Sequence, residues 1–439
     1  MPERHRLLSV FDGFLLWGDL SVSLLVIVAG AFLTLPVSEY GLGLSLPVAI
    51  GAIVAAAVVG NLMLGLGGLI GADARVPAMV LLRAPLGRRG SYLPTALNVI
   101  QCFGWAIFEI VVIATAAAAV TRREFGFGGD IFWKLIFGGV ATVLAFMGPV
   151  GFVHRYVRKF AAWIVLASLL YLCWWGLHGQ HVDRLWHRGG AHDFWPGFDL
   201  ALASIISWTP LVADYTRFSR TRAGAFWGTS VGYFVPQIPL LGLGAVIALS
   251  RHLSDAPGLL TAIAAGGVGT IAALLCVTVD ESKEAFANVY SAAVSLQNVL
   301  PGVPQRVLVA FAAVVSTVGA LLMNLSNFQP FLYLLGSFFV PLFGVLLADW
   351  VLGGRRYREE DVFAGAAVRV EMVVAWLVGF ALYQWLYPEG PAWWTRIVAH
   401  THPHALPWGG ASLPSFAAAF VLAACARAAT RGVVILARA

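Results

Sequence analysis

Four charged residues follow directly on an apolar run near the middle of the chain. The stretch "GTIAALLCVTVDESKEAFANVY" contains them within five positions: Asp280, Glu281, Lys283 and Glu284. A charge at the bilayer centre costs about 2.5–3.5 kcal/mol on insertion scales, so such residues usually face a cavity or a partner. On a helix, Asp280, Lys283 and Glu284 share one face, with Asn288 on its edge and Glu281 pointing away from its centre. This face either carries a coupling cation or proton, or forms a self-neutralising structural cluster.

A second group of polar residues recurs at helical spacing in "NVIQCFGWAIFEIVV". Gln101, Trp105 and Glu109 stand at i, i+4 and i+8 and therefore form one stripe along a helix. An aromatic plane between an amide and a carboxylate suits a flat, polar heterocycle, which stacks on the indole and hydrogen-bonds to its neighbours. The alternative is that Trp105 packs in the core and Glu109 pairs with a structural Arg or Lys.

The first apolar segment, "LLWGDLSVSLLVIVAG", holds a glycine and a carboxylate well inside it. Gly18 favours a local break of the helix, and broken membrane helices expose carbonyl groups that bind cations. Asp19 adds a negative charge at this break. Alternatively, Asp19 is solvated at the membrane interface and Gly18 serves only for packing.

The sixth apolar segment, "LALASIISWTPLVADYT", contains a proline that breaks or kinks a helix. Ser204, Ser207 and Trp208 come just before Pro210 and offer hydroxyls and a second aromatic plane. These residues predict a second substrate-binding segment. An ordinary proline kink with Trp208 in the core is the alternative.

The composition shows which elements must position these residues. Of 439 residues, 59% are hydrophobic and 11% are charged, against about 25% charged in soluble domains. Spans of about 20 apolar residues cross the hydrocarbon. Twelve such spans are predicted, at 8–36, 44–70, 92–121, 131–150, 157–178, 198–216, 225–250, 267–297, 305–323, 327–349, 368–387 and 411–436.

The basic residues fall mostly on one side of these spans. With the N-terminus inside, twenty of the 28 Lys and Arg residues lie on the cytoplasmic side, seven on the other, and Lys283 between them. Because cytoplasmic loops collect positive charge, both termini are predicted to be cytoplasmic, in a membrane of the bacterial inner-membrane type. The positive charge is thus a topology signal, and no nucleic-acid partner is expected.

The sequence offers no pattern typical of an enzyme or a resident cofactor. It lacks a Walker A lysine motif and an HExxH pattern, and no nucleophile-elbow pattern supports an intramembrane hydrolase. The four cysteines, each in a different apolar segment, show no metal-ligand spacing. We therefore expect no catalytic residue, no metal site and no cofactor beyond a coupling ion, Na⁺ or H⁺.

Five stretches give the chain a family resemblance: "GNLMLGLGGLIGA", "PLGRRGSYLPTALNVIQCFGW", "SWTPLVADYTRF", "VDESKEAFANVYSAAVSLQN" and "FFVPLFGVLLADW". They resemble the nucleobase:cation symporter-1 family of purine, cytosine and hydantoin permeases. Within it, the chain is most similar to the cytosine-permease-like branch of hydroxymethylpyrimidine transporters.

The resemblance implies an all-α polytopic membrane protein with the leucine-transporter fold. This fold has twelve helices, with helices 1–5 and 6–10 as inverted repeats and helices 1 and 6 broken. The core would span 1–350, with repeats at about 8–178 and 198–349, and 351–439 would hold two further helices and the tail.

The resemblance also implies roles for single residues. The family's stacking Trp on helix 3 matches Trp105, and the polar residue one turn later matches Glu109. On helix 6 a gapless alignment places Ile205 at the position of the second aromatic, with Trp208 three residues on. We take Trp208 as the aromatic that closes the site.

In sodium-coupled members the cation binds helix 1 carbonyls and small hydroxyl residues of helix 8. Gly18 and Ser21 match the first set. The helix 8 positions fall on charged residues here, Lys283 and Glu284 in one register or Asp280 and Glu281 in another. A Lys283 ammonium countered by Asp19, Asp280 or Glu284 would replace sodium, whereas the second register retains a cation site.

The sequence therefore predicts a secondary transporter that imports a pyrimidine-type heterocycle, either hydroxymethylpyrimidine or a cytosine-like molecule, by alternating access. The chain is expected to act as a monomer in the lipid bilayer, driven by a cation gradient. The alternatives are a permease for purines, hydantoins or another small amine, and a membrane receptor that binds without translocation.

Overall fold

The computed structural model describes residues 7–147, 158–300, 302–401, 406 and 408–436. Apart from two isolated β-bridges, Leu8–Ser219 and Leu44–Ala191, these residues form helices and their connections. Within the described ranges the protein is therefore an all-α structure, as predicted.

In the described residues of its first half, the chain contains nine α-helices and one short 3₁₀ helix, Val37–Glu39. The α-helices are α1 (Val10–Leu20), α2 (Leu24–Phe32), α3 (Leu46–Ala74), α4 (Ala78–Leu81), α5 (Arg83–Leu86), α6 (Tyr92–Phe125), α7 (Asp130–Met147), α8 (Arg158–Leu177) and α9 (Val182–Trp186).

The described part of the second half contains eleven α-helices and the 3₁₀ helix Leu325–Asn327. The α-helices are α10 (Phe194–Ile206), α11 (Thr209–Thr216), α12 (Arg222–Ser250), α13 (Ala256–Ala265), α14 (Val268–Val299), α15 (Gln305–Leu322), α16 (Phe328–Leu352), α17 (Glu359–Phe363), α18 (Val370–Leu386), α19 (Ala392–Ala399) and α20 (Ser412–Leu436).

Each of the twelve predicted ranges holds a helix or a pair of helices at closely similar bounds. By length and apolarity alone, seven of the described helices can cross a membrane, and the bent pair α1–α2 would make an eighth. Twelve crossings therefore stay a prediction. The helix α13 was not predicted at all.

The first predicted span bends by 61° between α1 and α2. The break was predicted at Gly18, but Gly18 lies inside α1 and the helix ends at Ser21. The reason is a pair of serines: the Ser21 hydroxyl donates to the Gly18 carbonyl over 3.3 Å. Ser23, in an extended conformation, is the N-cap of α2 and accepts a bond from the Leu25 N–H.

The sixth predicted span is interrupted at Ser207 and Trp208, just before Pro210, the residue that was predicted to break it. Pro210 lies within the first two residues of α11, where a missing N–H costs nothing. The interruption is mild, because Phe194–Thr216 still counts as a single apolar span. Both halves thus contain an interrupted helix, sharply bent in the first and nearly straight in the second.

The interrupted helices are held by long neighbours. Helix α3 packs against α10 and α12, α1 and α2 pack against α12, and α14 packs against α6. The stripe on α6 and the charged stretch on α14 therefore lie on two helices in contact. Helix α2 contacts both of them, and Gln101 of the stripe bonds to Ser207 between α10 and α11.

Candidate functional site

A cavity lies where α1–α2, α6, α10–α11 and α14 meet. The non-atom space between its lining residues is about 500 Å³, which includes open solvent. All seven residues predicted to bind substrate line this one cavity: Gln101, Trp105, Glu109, Ser204, Ser207, Trp208 and Asn288. The structure thus brings together side chains that are up to 187 positions apart, between Gln101 and Asn288.

The two polar residues of the α6 stripe are buried, with 1% of each exposed, and only half satisfied. Gln101 Nε2 donates to the Ser207 carbonyl at 2.7 Å, and Glu109 Oε1 accepts from Asn288 Nδ2 at 2.9 Å. The other oxygens, Gln101 Oε1 and Glu109 Oε2, have no hydrogen-bond partner among the described residues. Glu109 is paired with an amide from α14 rather than with the structural Arg or Lys of the alternative interpretation.

Trp105 is half-buried between these two residues and is fixed by aromatic neighbours. Its ring meets Phe328 and Phe331 edge-on, with centroids 5.7 and 5.6 Å apart. Edge-to-face contacts of this kind hold a ring in place. Phe328 itself also lines the cavity.

Trp208 supplies a second aromatic side chain to the cavity. Its Nε1 donates to the Tyr233 hydroxyl at 3.0 Å, and its ring stands edge-on to Trp17 at 5.9 Å. Ile205, the residue that a gapless alignment places at this position, is fully buried in the core with Trp17 and Tyr233. The geometry therefore favours Trp208 over Ile205 as the aromatic of this segment.

The serines at the interruption of the sixth span bond largely to their own helix. The Ser204 hydroxyl donates to the Ala201 carbonyl at 2.8 Å, and the Ser207 hydroxyl donates to the Ser204 carbonyl at 2.9 Å. Ser204 Oγ also accepts from Gln237 Nε2 at 3.3 Å, and Gln237 Oε1 accepts from Asn61 Nδ2 at 3.1 Å. These hydroxyls offer a ligand further acceptor capacity, since their protons are already engaged.

The charged stretch of α14 lies beside this cavity. Lys283 forms an ion pair with Asp280 one turn earlier on the same helix. Asp280 is 7% exposed, while Lys283 is half-buried. Glu284 lines the cavity itself, and Asp19 is exposed on the last turn of α1.

The residue of α14 that reaches the broken helix is Glu281, which was predicted to point away. It is 2% exposed, and its carboxylate accepts from the Ser23 hydroxyl at 2.6 Å and from the Leu24 N–H at 2.9 Å. The prediction failed because α2 approaches α14 from the side that Glu281 occupies. A helix wheel gives side-chain directions but cannot give the position of a neighbouring helix.

Among the lining residues that sequence reasoning missed are Ser23, Tyr233 and Phe328. Ser23 had a signal, since "DLSVSLL" places a serine directly before an apolar run, as N-caps do. Tyr233 and Phe328 had none, because aromatic residues in apolar spans are most often core residues.

The chain matches known transport proteins over most of its length. The model of a permease family, described as permease for cytosine/purines, uracil, thiamine, allantoin, matches residues 1–399. The cytosine permease of Escherichia coli (strain K12) is 26% identical over 339 residues, which are 75% of this chain and 78% of that protein. The hydantoin permease of Microbacterium maritypicum is 26% identical over 315 residues, 65% of this chain and 63% of that protein.

Solved structures agree in fold. Mhp1 in its inward-facing conformation superimposes with a TM-score of 0.76 at 20% identity, covering 97% of this chain and 91% of that one. Mhp1 in a closed conformation with bromovinylhydantoin bound gives a TM-score of 0.70 at 20% identity, covering 96% and 92%. The fold implied by the sequence resemblance is thereby confirmed.

The family model covers far more than half of the chain, and the relatives it resembles are permeases. The chain is therefore a transmembrane transporter and not an enzyme. It belongs to the nucleobase:cation symporter-1 family, the permeases for cytosine and purines, uracil, thiamine and allantoin.

Proposed function

We propose that this transporter imports a pyrimidine-type heterocycle, hydroxymethylpyrimidine or a cytosine-like molecule, by alternating access and coupled to a cation gradient. The observation that carries the proposal is the pair of buried acceptors without partners, Gln101 Oε1 and Glu109 Oε2, on either side of Trp105. A buried acceptor left unpaired costs about 1–3 kcal/mol, so a ligand that supplies the missing donors is favoured.

The chemistry of the two acceptors selects the type of ligand. An ionised carboxylate only accepts hydrogen bonds, and so does the amide oxygen of Gln101. An aminopyrimidine offers an exocyclic amine and further polar atoms on a flat ring. With Trp105 and Trp208 contributing aromatic surface, the cavity suits a planar heterocycle that donates from its edge.

The relatives support this class of substrate. The names of the matched proteins include cytosine, hydantoin and allantoin permeases, and these three molecules are nitrogen-rich heterocycles. Among them cytosine is the aminopyrimidine, and its exocyclic amine is a donor that the carboxylate of Glu109 can accept.

The coupling ion is proposed to bind beside the cavity, away from its aromatic side chains. We assign it to the neighbourhood of the α1–α2 break and the charged stretch of α14: Gly18, Asp19, Ser21, Asp280, Lys283 and Glu284. Lys283 pairs with Asp280, which supports a transporter whose built-in ammonium replaces sodium, with a proton gradient as the driving force. Either Na⁺ or H⁺ satisfies the proposal of a cation-coupled importer.

We further propose that the protein works as a monomer in a bacterial inner membrane with both termini in the cytoplasm. The distribution of Lys and Arg supports this orientation. A receptor that binds without translocation would show binding but no accumulation in the transport assay below.

The test is uptake of radiolabelled cytosine, hydroxymethylpyrimidine, hydantoin, uracil and a purine into proteoliposomes, with imposed sodium or proton gradients. We expect accumulation of an aminopyrimidine, driven by one of the two gradients. Preferred accumulation of hydantoin or a purine would contradict the substrate class, and binding without accumulation would contradict transport.

A further inference from the structure

The carboxylate of Glu281 joins two helices that have no other charged link in the contacts of the described residues. From α14 it accepts the Ser23 hydroxyl at 2.6 Å and the Leu24 N–H at 2.9 Å, both in the first turn of α2. All three residues are buried, with Glu281 2%, Ser23 6% and Leu24 0% exposed.

This contact satisfies groups that the helix cannot satisfy alone. The first N–H groups of a helix have no partner within it, and a negative charge at this end is favoured by the helix dipole. Ser23 Oγ in turn accepts the Leu25 N–H at 3.0 Å, so the carboxylate and the serine cap α2 together. Bonds to an ionised carboxylate are about twice as strong as neutral ones.

The capped turn is also a wall of the substrate cavity. Ser23 and Leu25 line the cavity opposite Trp105 and Glu109, and Asn288 lines it from α14. A shift of the first turn of α2 relative to α14 would therefore change the width of the space in which the heterocycle is proposed to bind.

The same region already engages several of its polar atoms in hydrogen bonds and an ion pair within the protein. Both Glu281 oxygens accept hydrogen bonds, and the Ser21 hydroxyl donates to the Gly18 carbonyl. The neighbouring Asp280 is paired with Lys283. The chain thus connects α2 to α14 through its own atoms.

We infer that Glu281 is a positioning residue: its carboxylate fixes the first turn of α2 against α14 and thereby sets substrate affinity without a sodium ion at the α1–α2 break. The inference rests on the proposed function for its ligand. The contact between α2 and α14 itself can be measured without any ligand.

The first measurement is hydrogen–deuterium exchange of the segment 22–26 in the purified, ligand-free protein. Loss of one charged hydrogen bond in Glu281→Gln should speed exchange there about tenfold. The matched control is Ser282→Ala, on the same helix, whose hydroxyl bonds only to the Thr278 carbonyl in the contacts described. Equal exchange in Glu281→Gln and wild type would overturn the inference.

The second measurement is equilibrium binding of the best radiolabelled heterocycle of the uptake panel, with sodium chloride or choline chloride. Wild-type affinity should be the same in both salts. Ser23→Ala and Glu281→Gln should each weaken the Kd of the folded protein by about threefold to tenfold, and Glu281→Ala by more. Ser282→Ala should bind as wild type.

The readouts separate positioning from simple stability. A purely structural role would lower the number of binding sites and leave the Kd of the remaining sites unchanged, which would overturn the inference. Tenfold tighter wild-type binding in sodium would also overturn it. If the wild type binds none of the heterocycles, the proposed function fails, and the exchange measurement alone decides on the connection between α2 and α14.

Discussion

The two walls of the cavity are built by different physical means. The aromatic wall consists of two pairs of side chains. Trp105 contacts Phe328 edge-on, and Trp208 contacts Tyr233 edge-on and donates a hydrogen bond to its hydroxyl. The charged wall consists of the α14 stretch 280–284 and the α1–α2 break, where polar groups are paired among themselves.

This difference indicates a division of work. The aromatic wall has surface to offer a flat ring, whereas the charged wall has already used most of its polar groups within the protein. Glu109 stands where the walls meet, since it is a carboxylate on the aromatic side that bonds to Asn288 of α14. The first wall should therefore determine which substrate binds, and the second should determine how binding responds to ions.

The largest effect is expected at the meeting point of the walls. Glu109→Gln replaces an acceptor-only carboxylate by an amide, and a hydrogen bond to a charged group contributes about 1.5–3 kcal/mol. Binding of aminopyrimidines should weaken about 10- to 100-fold in competition assays, with a much smaller loss for uracil. Equal losses for both ligands would show that Glu109 does not select the substrate and acts together with the charged wall instead.

Removal of the central ring of the aromatic wall should come next. Trp105→Ala removes the stacking contribution of about 0.5–1.5 kcal/mol together with buried apolar area, so affinity should fall about tenfold for every heterocycle. Trp105→Phe should retain part of it. If Trp105→Ala binds all the heterocycles as the wild type does, the site lies elsewhere.

A smaller effect is expected from the hydrogen bond that orients Trp208. Trp208→Phe and Tyr233→Phe remove the same bond from its two ends, at about 1 kcal/mol, so each should weaken binding by about fivefold. The double variant should lose no more than either single one. Additive losses would show that Tyr233 contacts the ligand independently of Trp208.

The smallest effect on affinity is expected at Lys283 of the charged wall. Lys283→Ala leaves Asp280 without its ion-pair partner, so uptake should acquire a dependence on sodium that the wild type lacks. The double variant Lys283→Ala/Asp280→Asn should lose this dependence again. Strict sodium dependence of the wild type would show that the carboxylates, and not Lys283, serve the cation.

Much of this arrangement could be predicted from the sequence because its signals are periodic. The i, i+4, i+8 stripe of Gln101, Trp105 and Glu109 fixes one face of a helix. Pro210 correctly marks the interruption of the sixth span, although Pro236, Pro239 and Pro341 lie inside continuous helices. Such local signals depend on the helix alone. The structure accordingly places these residues around one cavity.

The errors concern relations between helices. The break assigned to Gly18 lies at Ser21–Ser23, because the serine caps end and restart the helix there. Glu281 was placed off the charged face because its direction was compared with other α14 residues, and only the second register put it at the cation site. Its partners, Ser23 and Leu24, are more than 250 positions away. Hydrogen bonds of that range leave no trace in the local pattern.

The central claim is that this cavity holds a flat aminopyrimidine against Trp105. An experimental structure of the protein with the tightest-binding aminopyrimidine of the uptake panel tests it most directly. In that structure the pyrimidine ring should stack on Trp105, with its exocyclic amine within hydrogen-bonding distance of Glu109 Oε2. A ligand bound outside this cavity, or bound in it with its amine turned away from Glu109, would contradict the account.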